Sequence, residues 1–149
     1  MKKKLIYLFV LLGAVLVGVG TKAQAQIVGV MDANIPFQFR AGGANLPAGK
    51  YIIKVLDTSN VNILEIESVD RGTAALFDTE DARADRMPQK SELIFDHVGD
   101  RYFLTRIFDA DDEYGAEVVN PRRSRKHRVT MEASNQEHVP AFHHSNKGL

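Results

Sequence analysis

From Ala33 onward, apolar residues recur at every second position, and clusters of Gly, Pro, Asn and Asp break the pattern at short intervals. A two-residue period is that of a strand with one buried face. Short strands separated by turn formers predict an all-β domain, a small antiparallel sandwich or barrel of about seven strands.

The first such stretch is ANIPFQF, where Ala33, Ile35, Phe37 and Phe39 alternate with Asn34, Pro36 and Gln38. Proline cannot donate to a ladder, so Pro36 implies an edge position or a bulge. A turn-rich connection, AGGANLPAG, follows, with Pro47 and Gly49 placed to suit the second and fourth positions of a turn. The alternation resumes in LPAGKYIIKV, where Tyr51, Ile53 and Val55 share one face. Turn chemistry accounts for the Pro and Gly of this stretch without any ligand.

VNILEIES (61–68) reads as a further strand, and TAALFD (73–78) as a weaker one because of its two alanines. The charged run TEDARADRMPQK (79–90) reads as a surface loop. The strongest hairpin signal is SELIFDHVGDRYFLTRIF. Gly99-Asp100, with Gly first, suits a two-residue type II′ turn. That turn opposes Val98 to Arg101, His97 to Tyr102 and Phe95 to Leu104. It puts Leu93, Phe95, Tyr102 and Leu104 on one face, and Ile94, Phe103 and Ile107 on the other. GAEVVN (115–120) reads as a last short strand.

The ends of the chain differ from the middle. Lys2, Lys3 and Lys4 precede an apolar run from Leu5 to Gly20, and Ala23-Gln24-Ala25 forms an A-x-A cleavage pattern. This layout is that of a secretory signal peptide, so residues 1–25 are expected to leave and the mature chain to start at Gln26. No other stretch is apolar and long enough to predict a membrane span. The β domain is expected over 26–120. Asn120 and Pro121 suit the start of a helix. Residues 121–132 therefore read as a basic segment with helix-start signals, though it has little to bury. Residues 133–149 read as a disordered tail.

Removing Lys2, Lys3, Lys4 and Lys22 with the signal leaves 15 basic against 19 acidic residues, a net charge of −4. A mildly acidic exported chain has no general attraction for nucleic acid. The chain has no cysteine, which excludes disulfides, thiolate zinc sites and thiol nucleophiles. Its mature length suffices for one core without such staples.

Four residue groups could carry function. The acidic run Asp109, Asp111, Asp112 and Glu113 could attract calcium, but its Gly falls one place late for the loop rule, so a solvated loop is expected. His97, opposite Tyr102, reads as a packing residue with a polar tip. His138, His143 and His144 fall in the presumed tail, where a metal would find no fixed geometry. Arg122, Arg123, Arg125, Lys126 and Arg128 concentrate five cations in seven residues. In an exported protein such a run suits an anionic envelope lipid, a glycan or an acidic protein face, or it is simply solvated. No catalytic, metal or cofactor motif occurs.

The IPF, LPAGxY and GDRYFL stretches, with the leader and the Arg-rich end, resemble a set of small exported bacterial proteins without an assigned activity. The likeness runs from about Ala33 to Arg128 and rests on strand and turn residues. It implies export and an all-β fold, and it assigns no site residue or cofactor. The expected function is that of a non-enzymatic binding or structural domain, periplasmic or extracellular. The alternatives are a lipid- or glycan-binding barrel with an apolar interior, and an envelope enzyme using Glu65 and Glu67, which share a strand face.

Overall fold

The computed structural model describes residues 29–57, 59–119 and 135–144. The leader and the basic segment 121–132 lie outside the described residues. The described chain is all-β, and no helix long and apolar enough to cross a membrane occurs among the described residues. Its strands are β1 (Met31–Ile35), β2 (Phe39–Ala41), β3 (Ala44–Leu46), β4 (Gly49–Asp57), β5 (Asn60–Ser68), β6 (Ala74–Arg83), β7 (Glu92–Val98), β8 (Arg101–Phe108), β9 (Tyr114–Val118) and β10 (Asn135–His143).

Eight of these strands close a ring in the order β1, β4, β5, β6, β9, β8, β7, β10, and every pairing in it is antiparallel. Closure removes the exposed sheet edges that invite aggregation. The β2–β3 hairpin lies outside the ring, with β2 parallel to β8 at Tyr102 and Phe103. It takes the part of the β8 edge that β9 leaves free, since β9 pairs only with Arg106, Ile107 and Phe108.

The expected first strand is therefore two. Pro36 ends β1, and β2 starts at Phe39 after the chain has left the wall. The turn-rich connection is itself a hairpin, turning at Gly42-Gly43. β1 pairs with β4 as the alternation implies, Ala33 opposite Tyr51 and Ile35 opposite Gly49. Tyr51 and Ile53 are fully buried and Val55 half-buried. The Tyr51 hydroxyl donates to the Pro47 carbonyl at 2.6 Å. A buried phenol needs such a partner, so LPAGKY is a self-fastened turn. Burial pushes the Tyr51 hydroxyl above its ordinary pKa, and the nearby Arg71 charge opposes the shift.

The β7–β8 hairpin has the predicted register around Gly99-Asp100. Gly99 has φ +64° and Asp100 does not share a positive φ, the sign pattern of type II′. One detail differs. The register steps between Ile94 and Phe95, leaving Thr105 as an extra residue whose hydroxyl donates to the Ile94 carbonyl at 3.0 Å. This bulge reverses the alternation. Ile107 therefore faces the interior beside Leu93, and Phe108 joins Ile94 in a small outer cluster with Ala82. The strand from Ala74 also runs on to Arg83, because Thr79–Arg83 pairs with β9, so the loop expected at 79–90 begins only at Ala84.

The tail is the main correction. Residues 135–143 form β10, set between β7 and β1. It pairs with β7 from Asn135 to Pro140 and with β1 from Ala141 to His143. Pro140 sits where one ladder hands over to the other, and the β1 ladder stops before a proline donor would be needed. Val139 and Ala141 point into the core. An eight-stranded barrel is just wide enough for side chains to fill. Here Phe39, Tyr51, Ile53, Leu64, Phe95 and Ile107 belong to one continuous buried cluster.

Candidate functional site

β10 is fastened at the surface by its own His138 and His143 and by His144, the residue that follows it. His138 Nδ1 lies 3.0 Å from Glu92 Oε2, His143 Nε2 lies 2.8 Å from Asp109 Oδ1, and His144 Nδ1 lies 2.8 Å from Asp32 Oδ2. A carboxylate only accepts, so in each pair the ring nitrogen carries the proton and donates. The three histidines of the presumed tail thus have fixed geometry, each with a different carboxylate. No cluster able to hold a metal ion occurs among the described residues.

One of these pairs brings together the residue types of a hydrolytic triad. Buried Ser91 donates through Oγ to Asp109 Oδ1 at 2.6 Å, on the same oxygen that His143 contacts. The Ala110 amide donates to both Asp109 Oδ1, at 2.9 Å, and Ser91 Oγ, at 3.1 Å. In a nucleophilic relay the histidine stands between serine and carboxylate and takes the serine proton. Here the carboxylate stands in the middle, and the serine proton points at an acceptor that holds it. The cluster fixes the start of the β8–β9 loop and is not wired for attack.

The rest of the acidic run is used in the same local way. Asp112 accepts from the Tyr114 amide at 2.9 Å, and Glu113 holds Arg83 at 2.9 Å. Asp111, at φ +60°, donates its amide to the Pro88 carbonyl at 2.8 Å. These carboxylates do not converge on one point. His97 stacks on Tyr102 with ring centroids 4.3 Å apart, and Phe37 stacks on the same ring at 3.9 Å. Two rings that close cannot share one face, so Tyr102 is sandwiched between them. Glu65 and Glu67 do share a face, and it is the outer one, since Leu64, Ile66 and Ser68 are the buried residues of β5. Lys54 bridges them at 3.1 and 3.3 Å. Hydrogen bonds to Glu65 and then Glu67 hold its ammonium above the ordinary lysine range. Arg122, Arg123, Arg125, Lys126 and Arg128 lie outside the described residues.

The described surface carries several depressions that sequence reasoning does not single out, two of them with a lining suited to a ligand. The first is an apolar groove of about 350 Å³ on the outer wall where β10, β1 and β4 meet. Register places Phe142 opposite Asp32, and Asp32 opposite Ile52, in one row across the three strands. Phe142 is 63% exposed, and Val69, just past β5, is 55% exposed. Asp32, Lys50 and His144 also line the groove, and the Asp32 carboxylate is occupied by His144. The second is a polar cleft of about 360 Å³ beside the β7–β8 turn, with Arg40 and Arg101 in its lining. The chain matches no protein-family model, no curated protein and no solved structure.

Proposed function

We propose that the protein is exported by its leader and works in the cell envelope or outside the cell as a non-enzymatic binding domain, taking a lipid acyl chain in the groove between β10, β1 and β4. The observation that carries this reading is the exposed Phe142 in a concave apolar surface with Val69 and Ile52. Single apolar residues scattered on a surface mean little, whereas large ones gathered in a groove mark a contact. A glycan would want a polar lining, so the apolar floor favours the lipid reading. The barrel interior, occupied by its own side chains, supports a site on the outer wall rather than within. The wiring of Ser91, Asp109 and His143 supports a role without catalysis.

The test is binding of a dansyl-labelled fatty acid to the protein purified from its native cells, which should begin at Gln26. Phe142→Ser is expected to weaken binding about tenfold or more, the equivalent of losing one buried aromatic contact. The melting temperature should not fall, because Phe142 contributes nothing to the core. Affinity unchanged from the parent protein in both Phe142→Ser and Val69→Ser would contradict the reading.

A further inference from the structure

The polar cleft beside the β7–β8 turn gathers cationic and amide groups from separate parts of the chain. Arg40 on β2 and Asn45 on β3 are register partners, so their side chains leave the hairpin on the same face. β2 lies parallel against β8, with Phe39 opposite Tyr102, which brings Arg40 near the start of β8, where Arg101 projects. Gln38 and Asp100 complete the lining. Phe39 faces the core and fixes the hairpin there, its ring edge-on to Tyr51 and Phe95 at 5.2 and 5.4 Å. The cleft therefore has a rigid floor.

The charges in it are unspent. The Arg40 guanidinium makes one long hydrogen bond, from Nη2 to the Gly43 carbonyl at 3.3 Å. Its Nε is buried and has no partner. A buried donor on a charged group left unsatisfied is costly, and such atoms call for an explanation. Among the described residues, neither Arg40 nor Arg101 has a carboxylate within ion-pair distance, although Asp100 lines the same cleft. Some cations elsewhere are matched, Arg83 by Glu113 and Lys54 by Glu65 and Glu67, while Lys50, Arg71, Arg86, Lys90 and Arg106 have no ion pair among the described residues; what sets Arg40 apart is its buried, unpartnered Nε. Arg40 and Arg101 are left as two forks of donors facing one recess, with the amides of Gln38 and Asn45 beside them.

We propose that this cleft is a binding site for a phosphate-type oxyanion. A guanidinium presents parallel N–H donors that match two oxygens of a phosphate. Two such groups suit a tetrahedral dianion or a phosphate ester better than a single carboxylate, which one arginine saturates. Side-chain amides add neutral donors, and Asp100 sets a limit on how much negative charge the site accepts. The phosphate belongs either to a free phosphate ester or to a phospholipid headgroup. The site is separate from the acyl-chain groove and stands or falls without it.

The experiment follows the Arg40 and Arg101 Nε–Hε resonances of the full mature chain during titration with inorganic phosphate, with chloride at matched ionic strength as the control. Both signals are expected to shift saturably with phosphate and not with chloride. Arg101→Gln should weaken the apparent affinity about tenfold, and Arg40→Gln by at least as much. Arg101 is exposed, so its replacement leaves the fold intact even if Arg40→Gln unfolds the hairpin. Co-sedimentation with phosphatidylglycerol vesicles, but not phosphatidylcholine vesicles, assigns the phosphate to an anionic headgroup if Arg101→Gln abolishes it. Phosphate binding without vesicle binding assigns it to a free ester. The proposal is overturned by shifts that chloride reproduces, by no saturation in phosphate, or by unchanged affinity in Arg101→Gln.

Discussion

A chain ending at Ser134 is expected to lose its cooperative unfolding transition. Such a truncation removes β10, which holds six register pairs with β7 and three with β1. Neighbouring strands lie about 4.8 Å apart, so its loss leaves β7 and β1 roughly twice that distance from each other, with both edges unpaired. Water then reaches Met31, Ala33, Leu93 and Phe95, all buried in the intact protein. Each lost ladder bond costs about 0.5–1.5 kcal/mol and a buried valine such as Val139 about 1.5–3 kcal/mol. The sum is comparable to the 5–15 kcal/mol that holds a typical domain together. Two open edges facing each other also favour association between chains. Thermal unfolding followed by circular dichroism decides the matter. A truncated protein that melts within a degree or two of the intact one would mean that the barrel closes without β10.

The second large effect is expected at Phe95. Its side chain is fully buried, and its ring is edge-on to Phe37 at 5.1 Å and to Phe39 at 5.4 Å. Across the wall it is opposite Leu104 on β8 and Glu137 on β10. It is thus the point where the inserted β2 segment, the central hairpin and the C-terminal strand meet. Phe95→Ala should destabilise by about 3–5 kcal/mol, the transfer loss of the ring plus the cavity it leaves. Neighbours locked in a closed barrel collapse poorly into such a space, which favours the upper part of that range. Phe95→Leu should cost much less. Denaturant unfolding at constant m-value measures both. Equal stability of Phe95→Ala and the parent would place the core elsewhere.

The parts of this fold that the sequence declares are those set by local chemistry. Gly99-Asp100 fixes the β7–β8 register because a two-residue loop with Gly first admits few geometries. Tyr51 and Ile53 show their face through strict alternation. β10 hides because only Val139 and Ala141 enter the core, with Pro140 between them. Its polar residues are stabilised by Glu92, Asp109 and Asp32, partners distant in sequence. The extra residue at Thr105 carries no signature of its own, so the facing of Ile107 could not be read. The β2 and β3 strands are three residues each and look like turn sequence.

The surface features were hidden for the same reason. Arg40 and Arg101 are ordinary isolated cations until the parallel contact of β2 with β8 brings them to one recess. Phe142 resembles a tail residue until β10 places it in a row with Asp32 and Ile52. Charge clustering along the chain points to the cations of 122–128, which lie outside the described residues, and it is blind to cations that strand pairing gathers from separate parts of the chain.

Everything proposed for the outer wall depends on β10 being a permanent wall strand, since Phe142 and His144 shape the groove and its pairing closes the ring. Residue-resolved amide hydrogen exchange measures this directly. The amides of Glu137, Val139 and Ala141, which face β7, and of Phe142, which faces β1, should include the slowest class, exchanging together with those of Phe95 and Ile53 through global unfolding. Rapid exchange of 135–143 alongside protected β4, β5 and β7 would contradict the closed barrel and remove the groove with it.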